Sequence, residues 1–194
     1  MKERILVTGG TGYIGSHTVV ELQNSGYEVI IIDNLSNSSA DVVDNIEKVS
    51  GIRPVFEKLD CLDFAGLDAM FAKYPGIKAI IHFAASKAVG ESVQKPLLYY
   101  RNNLVSLINL LELMPKHNVG GIVFSSSCTV YGQPDELPVT EQAPIKKAES
   151  PYGNTKQINE EIVRDTVASG APINAILLRY FNPIGAHPTA LLGE

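Results

Sequence analysis

Tyr152 and Lys156 lie one helical turn apart in the chain, in a pairing suited to proton transfer. On a helix, residues four apart share one face, so the Lys156 ammonium would lie beside the Tyr152 phenol. A neighbouring positive charge favours the phenolate and lowers the phenol pKa from its usual value of about 10. We therefore expect Tyr152 to act as a general base. Such pairs also occur by chance on solvent-exposed helices, so the pair needs support from elsewhere in the chain.

A glycine-rich loop near the start of the chain supplies that support. Gly9, Gly12 and Gly15 follow an apolar segment and precede an amphipathic one. Because they lack Cβ atoms, they permit a tight turn, close approach of a pyrophosphate and close helix–sheet packing. The start of the following helix offers free N–H groups to an anion. The motif, in this position between a strand and a helix, predicts a dinucleotide site.

An acidic residue at the end of the second predicted strand indicates which dinucleotide binds. Asp33 lies 18 residues after Gly15, where its carboxylate can accept hydrogen bonds from the adenosine ribose. Its charge would repel a 2′-phosphate, and residues 34–38 contain no Arg or Lys to bind one. The sequence therefore favours NAD over NADP. As an alternative, Asp33 is a turn residue before Asn34.

Short β-branched apolar segments alternate with longer segments of helical periodicity, which is typical of βαβ units. Strands are predicted at residues 4–7, 28–33, 54–59, 79–83, 121–125 and 173–180, and helices at 13–25, 41–49, 67–74, 96–116 and 151–169. Right-handed crossovers between these strands give an α/β doubly wound parallel sheet, a Rossmann fold, in the order 3-2-1-4-5-6. Residues 131–150, just before Tyr152, are predicted to form a long ordered loop.

Composition restricts the class of protein. The 194 residues are 45% hydrophobic and 19% charged, as in globular domains, and the net charge of −5 argues against nucleic-acid binding. Cys61 and Cys128 stand 67 positions apart and indicate neither a disulfide framework nor a zinc site, so no metal is expected. No segment approaches the roughly 20 apolar residues that span a bilayer, and the first apolar segment, which ends at Thr8, is too short for the apolar region of a signal peptide. These features predict a cytoplasmic protein.

Taken together, these motifs resemble those of the extended short-chain dehydrogenase/reductases, and within that group the family of UDP-glucose 4-epimerases. The resemblance covers the whole chain and is carried by residues 8–15, 33–38, 87–92, 124–132, 150–153 and 179–183. It implies that Ser127, Tyr152 and Lys156 are catalytic. It further implies that NAD stays bound while Tyr152 takes a proton from the sugar 4-hydroxyl and C4 gives its hydride to the nicotinamide. The 4-keto sugar then turns over and receives the hydride on its other face.

The same resemblance implies which residues line the two binding sites. Around NAD, they are Gly9, Gly12, Tyr13, Ile14, Gly15, Asp33, Asn34, Leu35, Ser36, Asn37, Ser38, Asp60, Cys61, Phe83, Ala84, Ala85, Ser86, Lys87, Asn102, Tyr152, Lys156, Tyr180 and Phe181. Around the UDP-sugar substrate, they are Lys87, Ser127, Tyr152, Phe181 and Asn182. A homodimer through the helices at 96–116 and 151–169 is also implied. From the residues alone, Phe83 and Phe181 are equally well explained as core aromatics, and His82 and Cys128 are expected to serve packing.

Members of that family continue well past the position matched by Glu194, with a final strand and a smaller domain that holds much of the UDP-sugar. We therefore expect residues 1–194 to form the NAD-binding domain, with the substrate domain largely absent and epimerase activity weak or absent in the isolated chain. Two alternatives remain. A nucleotide-sugar 4,6-dehydratase is disfavoured because Cys128 and Thr129 stand where dehydratases carry an Asp-Glu pair. A non-catalytic NAD-binding module, or a fragment that needs a partner, is the other alternative.

Overall fold

The computed structural model describes residues 2–193, which build one six-stranded parallel sheet flanked by helices. The strands are β1 (Arg4–Thr8), β2 (Glu28–Asp33), β3 (Val55–Lys58), β4 (Ile77–His82), β5 (Gly121–Ser127) and β6 (Asn174–Tyr180). The helices are α1 (Tyr13–Asn24), α2 (Asp41–Ser50), α3 (Phe64–Lys73), α4 (Val89–Gln94), α5 (Pro96–Lys116) and α6 (Pro151–Ala168), and a 3₁₀ turn follows β5 at Cys128–Tyr131.

The apolar strands explain why helices cover both faces of the sheet. Alternate residues of β1 point to opposite faces, and buried apolar side chains lie on both, with Leu6 on one face and Ile5 and Val7 on the other, so each face must be covered. Leu6 packs in a cluster with residues of α3, α5 and α6, whereas Val7 packs in a second cluster with residues of α1 and α2. The fold is therefore a doubly wound α/β Rossmann fold with two apolar layers.

The predicted strand order is confirmed, since the sheet runs β3-β2-β1-β4-β5-β6 with every neighbouring pair parallel. Helix α3 begins three residues before the predicted Leu67, because the Asp63 carboxylate accepts a hydrogen bond from the Gly66 N–H and caps the helix. The six-residue helix α4 and the 3₁₀ turn were not predicted, because both are too short to show a helical period. The predicted loop before Tyr152 has no regular element between the 3₁₀ turn and α6.

Parallel strands bring all their carboxyl ends to one edge of the sheet. The glycine-rich loop follows β1, Asp33 ends β2, Phe83 follows β4 and Ser127 ends β5. Ligands bind at this edge in open α/β sheets, in the crevice where the strand order reverses. Here the reversal lies between β1 and β4. Among residues 2–193, no helix combines the length and apolarity needed to cross a membrane.

Candidate active site

The glycine-rich loop makes a turn that side chains would block. Gly9 has a φ of +68°, and a Cβ built on it would lie 2.8 Å from the backbone nitrogen of Ala84. A Cβ on Gly15 would overlap the carbonyl oxygen of Gly9. Gly12 is the N-cap of α1 and makes no side-chain hydrogen bond, so the start of the helix keeps its N–H groups for a ligand. The loop therefore has the shape and polarity of an anion cradle.

The Asp33 carboxylate is fixed between this loop and the segment that follows β2. Its Oδ2 accepts a hydrogen bond from the Thr11 N–H at 3.3 Å, and its Oδ1 accepts one from the Leu35 N–H at 2.9 Å. The Ser38 hydroxyl also donates to Oδ1, at 3.3 Å. Leu35 has a φ of 60°, in the left-handed region, which turns the chain tightly around the carboxylate. The Asp33 carboxylate is thus held by the loop that follows β1 as well as by the turn that follows Asp33 itself.

Two hydrogen bonds join further residues expected to line the cofactor site. The Asn34 amide donates to Asp60 Oδ2 at 3.0 Å, which links the ends of β2 and β3. The Asn102 amide donates to the Ser86 hydroxyl at 3.0 Å, which links α5 to the segment after β4. Of the remaining predicted residues, Ile14 lies in the first turn of α1, Ser36 and Asn37 lie in the segment after β2, and Ala85 lies in the segment after β4. The structure thus brings the predicted cofactor segments together along the edge of the sheet.

Aromatic side chains lie at the ends of β4 and β6. The Phe83 and Tyr180 rings are 6.3 Å apart between centroids, so they extend the line of predicted residues from the end of β4 past β5 to the end of β6. The Phe181 ring stacks on Tyr131 of the 3₁₀ turn, at 6.5 Å, and remains 54% exposed. Phe181 is therefore not a core aromatic in this fold.

Three further predicted residues differ in how far they are exposed to solvent. Cys61 is buried, and burial raises the pKa of its thiol to about 12, so the thiol stays protonated. Lys87 and Asn182 are exposed, in the segments after β4 and β6 respectively. The Tyr13 hydroxyl donates to the Gly185 carbonyl at 2.6 Å, which joins the start of α1 to the segment beyond β6.

Ser127 and Tyr152 meet where β5 and α6 come together. Ser127 ends β5, and its Oγ accepts a hydrogen bond from the Thr129 N–H at 3.2 Å. Tyr152 lies in the first turn of α6, which Ser150 caps by accepting a hydrogen bond from the Gly153 N–H at 3.1 Å. A hydrogen bond from Ser127 acts to lower the pKa of the Tyr152 phenol. Ser127 and Tyr152, 25 positions apart in sequence, thus lie close enough for the Ser127 hydroxyl to act on the phenol.

Lys156 lies one turn further along α6 and is nearly inaccessible to solvent, at 3% exposure. Its Nζ donates a hydrogen bond to the Ser125 carbonyl at 2.6 Å and lies 4.9 Å from the centroid of the Phe124 ring. It also lies 5.8 Å from the centroid of the Tyr152 ring. Burial lowers the pKa of the Lys156 ammonium to about 8.

The expected direction of the Tyr152 pKa shift requires correction. We expected Lys156 to lower it, but burial of the phenol has the largest effect and raises the pKa of Tyr152 above 10, against the opposing hydrogen bond from Ser127. The Lys156 ammonium lies over the Tyr152 ring and donates to Ser125. Desolvation of the phenol therefore outweighs the proximity that the i, i+4 spacing predicted.

The buried ammonium predicts a stability change on replacement of Lys156. The pKa of Lys156 is about 8 in the fold and about 10.4 when unfolded, so the unfolded state binds more protons between these values. The penalty for burying the charge is thus complete below pH 8 and vanishes above about pH 10.4. Lys156→Met should raise the free energy of unfolding at pH 7 by up to about 3 kcal/mol, less the lost Ser125 hydrogen bond.

Thermal melts between pH 7 and pH 10 measure this difference, and the advantage of Lys156→Met should shrink as the pH rises. Lys48 is an exposed lysine in the last turn of α2, so Lys48→Met is the matched control and should show no comparable pH-dependent gain. A Lys156→Met variant that melts below the wild type at pH 7 and above it at pH 10 would contradict the prediction.

His82 is a core residue, as expected. It is 2% exposed and its Nδ1 hydrogen-bonds to the Thr8 hydroxyl at 2.7 Å. Burial lowers the pKa of its imidazole to about 3, so the ring is neutral in the physiological range. Among the residues that the structure describes, no group of three or more His, Cys, Asp or Glu side chains is arranged to hold a metal ion.

Sequence reasoning did not identify Glu160 as part of this site. Glu160 is 1% exposed on α6 and accepts hydrogen bonds from the Ser126 hydroxyl and from both Arg164 and Arg179. A usable signal was present in the sequence. Tyr152, Lys156 and Glu160 recur every four residues, so a helix that turns Tyr152 toward the sheet turns Glu160 toward it too.

Two sets of comparisons with known proteins agree with this geometry. Residues 5–192 match the NAD dependent epimerase/dehydratase family. The chain is 53% identical to UDP-glucose 4-epimerase of Bacillus subtilis over 190 residues, which is 98% of this chain and 56% of that protein. It is 49% identical to UDP-glucose 4-epimerase of Homo sapiens, covering 100% of this chain and 57% of that protein. The chain thus spans about half the length of these relatives.

Solved structures of similar proteins share the fold closely. UDP-glucose-4-epimerase from Stenotrophomonas maltophila, with bound NAD and formylated UDP-arabinopyranose, superposes with a TM-score of 0.95 at 47% identity and covers 99% of this chain and 56% of its own. UDP-glucose 4-epimerase from Bifidobacterium longum, in complex with NAD+ and UDP, also gives 0.95, at 49% identity, with 98% of this chain and 57% of its own covered.

Proposed function

This chain belongs to the NAD dependent epimerase/dehydratase family, and from that premise we propose that it is the NAD-binding part of an enzyme that interconverts UDP-glucose and UDP-galactose. The sequence relatives that support this substrate pair are named UDP-glucose 4-epimerases. Residues 1–194 would form one NAD-binding Rossmann domain. The reaction would be an isomerisation with no net redox change, through transient oxidation at C4 of the sugar.

One observation carries the proposal: Ser127, Tyr152 and Lys156 converge at the end of β5, on the same carboxyl edge of the sheet as the glycine-rich loop. Tyr152 would take the proton from the sugar 4-hydroxyl and later return it. Ser127, already hydrogen-bonded to the phenol, would orient the reacting oxygen. Lys156 would hold positive charge beside the phenolate as it forms, because its ammonium already lies against the Tyr152 ring.

The residues present fit NAD. A cradle that Cβ atoms would fill, at Gly9 and Gly15, suits the pyrophosphate, and the buried Asp33 carboxylate suits a ribose diol. NAD supplies the group that accepts a hydride and gives it back. The chain would bind and orient NAD with the residues expected from the sequence. Gly9 to Gly15 would lie at the phosphates, Asp33 to Ser38 at the ribose, and Asp60 and Cys61 at the adenine. The rest of the cofactor channel would be lined by Phe83 to Lys87, Asn102, Tyr180 and Phe181.

The substrate would lie against the exposed side of the same edge. Lys87, Phe181 and Asn182 are exposed there and would contact the UDP-sugar together with Ser127 and Tyr152. The chain spans about half the length of its relatives. We expect the isolated chain to retain NAD, with epimerase activity weak or absent. Contacts to remote parts of a substrate supply much of the positioning that lowers the barrier.

We further propose a homodimer in the cytoplasm. Val93 of α4, Leu97 and Leu98 of α5 and Val167 of α6 are large apolar side chains with substantial exposure, which supports pairing through these helices. Cys61 and Cys128 are free thiols, which supports a reducing compartment.

The test is to purify the chain, determine its NAD content, and follow UDP-glucose formation from UDP-galactose by NMR over several hours. We expect about one NAD per chain, with conversion weak or absent. Conversion would establish epimerisation, whereas retained NAD without any conversion would mark the chain as a cofactor-binding module. A 4-keto-6-deoxy sugar found by mass spectrometry would favour a dehydratase, and a chain unable to bind NAD would refute the proposal.

A further inference from the structure

A buried carboxylate on α6 joins the helix to the two strands that end at the candidate active site. Glu160 Oε1 accepts hydrogen bonds from the Ser126 hydroxyl of β5 at 2.6 Å and from Arg179 Nε of β6 at 2.9 Å. Its Oε2 accepts one from the second fork of the Arg179 guanidinium at 2.7 Å. Arg164, one turn further along α6, donates to the same Oε2 at 2.7 Å.

The carboxylate is ionised despite its burial. Burial by itself raises the pKa of Glu160, but hydrogen bonds from Arg179 and Ser126 and the two guanidinium charges lower it overall. A buried ion pair adds little net stability compared with well-packed apolar residues, because both ions lose their hydration. The pair instead defines where α6 lies, because the bidentate guanidinium contact and the short hydroxyl contact can form together at only one position of the helix.

The strand partners of Glu160 stand next to the reacting residues. Ser126 and Arg179 are opposite each other in the β5–β6 register, and the next pair in that register is Ser127 and Tyr180. The Arg179 guanidinium also lies 4.7 Å from the centroid of the Tyr131 ring, in the 3₁₀ turn that Ser127 begins. A displacement of Glu160 would therefore move α6, which carries Tyr152, and would also disturb the end of β5, which carries Ser127.

We propose that Glu160 is a positioning residue. Held by Arg179 and Ser126, it fixes the position of α6 against β5 and β6, so that the Tyr152 phenol meets the Ser127 hydroxyl. Tyr152 lies two turns before Glu160 on the same helix face. Lys156 lies between them, and its hydrogen bond to the Ser125 carbonyl holds α6 to the adjacent residue of β5. The catalytic meaning of this geometry rests on the proposed function, but the geometry itself can be tested without substrate or cofactor.

The test is a pH titration of Tyr152 in chain labelled with ¹³Cζ-tyrosine, with the resonance assigned by its loss in Tyr152→Phe. Glu160→Gln should raise the measured Tyr152 pKa, because α6 loses its anchor and the Ser127 hydrogen bond that favours the phenolate is weakened. The sign separates this from a direct charge effect. Removing a nearby negative charge alone favours the phenolate and would lower the pKa.

Two further variants keep the test decisive. Arg179→Lys retains the charge but loses the bidentate fork, so it should raise the Tyr152 pKa in the same direction. Arg164→Gln is the matched control. It removes a guanidinium from the same carboxylate, but Arg164 is half exposed and reaches neither strand, so the Tyr152 pKa should stay in place. If Glu160→Gln does not fold, the comparison of Arg179→Lys with Arg164→Gln decides.

An unchanged or lower Tyr152 pKa in Glu160→Gln, or in Arg179→Lys should the first variant not fold, would overturn the proposal. An equal rise in Arg164→Gln would overturn it as well, since that would make the shift a general effect of destabilising α6. NAD binding by the wild type is measured separately. Its absence would remove the proposed function and leave the positioning inference standing on the titration.

Discussion

Tyr152→Phe should reduce the conversion of UDP-galactose to UDP-glucose by at least about 100-fold, because a general acid–base group contributes roughly 10²- to 10⁴-fold to a rate. Phenylalanine preserves the ring that packs near Lys156 and removes only the hydroxyl that Ser127 hydrogen-bonds. NAD affinity should stay within about threefold of the wild-type value, since the phenol oxygen would act mainly on the sugar. Conversion is measured by NMR at high chain concentration, so that slow turnover is detectable.

A matched control comes from a second buried tyrosine near the same helices. Tyr99 of α5 is fully buried, and its hydroxyl donates a hydrogen bond to Glu91. Tyr99→Phe should lower thermal stability without a comparable loss of conversion. The assignment of Tyr152 as the base would fail if Tyr152→Phe kept most of the wild-type rate, or if Tyr99→Phe lost as much.

Gly15→Ala should destabilise the chain by about 1–3 kcal/mol and weaken NAD binding at least about 100-fold. The added Cβ would overlap the Gly9 carbonyl oxygen and lie 2.9 Å from the Gly10 Cα. These are backbone atoms, so α1 has to move away from the loop and its N–H groups leave the anion cradle. Urea unfolding measures the first effect, and titration of the NAD-free chain with NAD measures the second.

Gly90 provides the control for this substitution. It lies in the first turn of α4, as Gly15 lies in the first turn of α1, but a Cβ at Gly90 would meet no atom within 4 Å. Gly90→Ala should therefore be neutral or stabilise the chain by up to about 1 kcal/mol, and NAD binding should be kept. If Gly15→Ala behaved like Gly90→Ala, close packing at Gly15 would not be what shapes the phosphate site.

Local sequence was sufficient for the architecture of this chain. The alternation of apolar strands with helical segments predicted the six strands and their order, because strand periodicity and right-handed crossovers leave few arrangements. The glycine spacing and the acid at position 33 likewise indicated the cradle, since those positions depend on turns that neighbouring residues encode. Helix α4 was not predicted, because six residues are too few to establish a helical period.

Electrostatics at the site depended on the tertiary structure. Sequence spacing placed Lys156 beside Tyr152. The raised pKa of Tyr152 and the lowered pKa of Lys156, about 8, nevertheless follow from burial by β5 and its neighbours. The Glu160 network joins residues from α6, β5 and β6 that lie up to 53 positions apart. Sequence by itself determined the fold and the chemical groups available, whereas their desolvation and their hydrogen-bond partners were decided by packing, because both depend on segments distant in the chain.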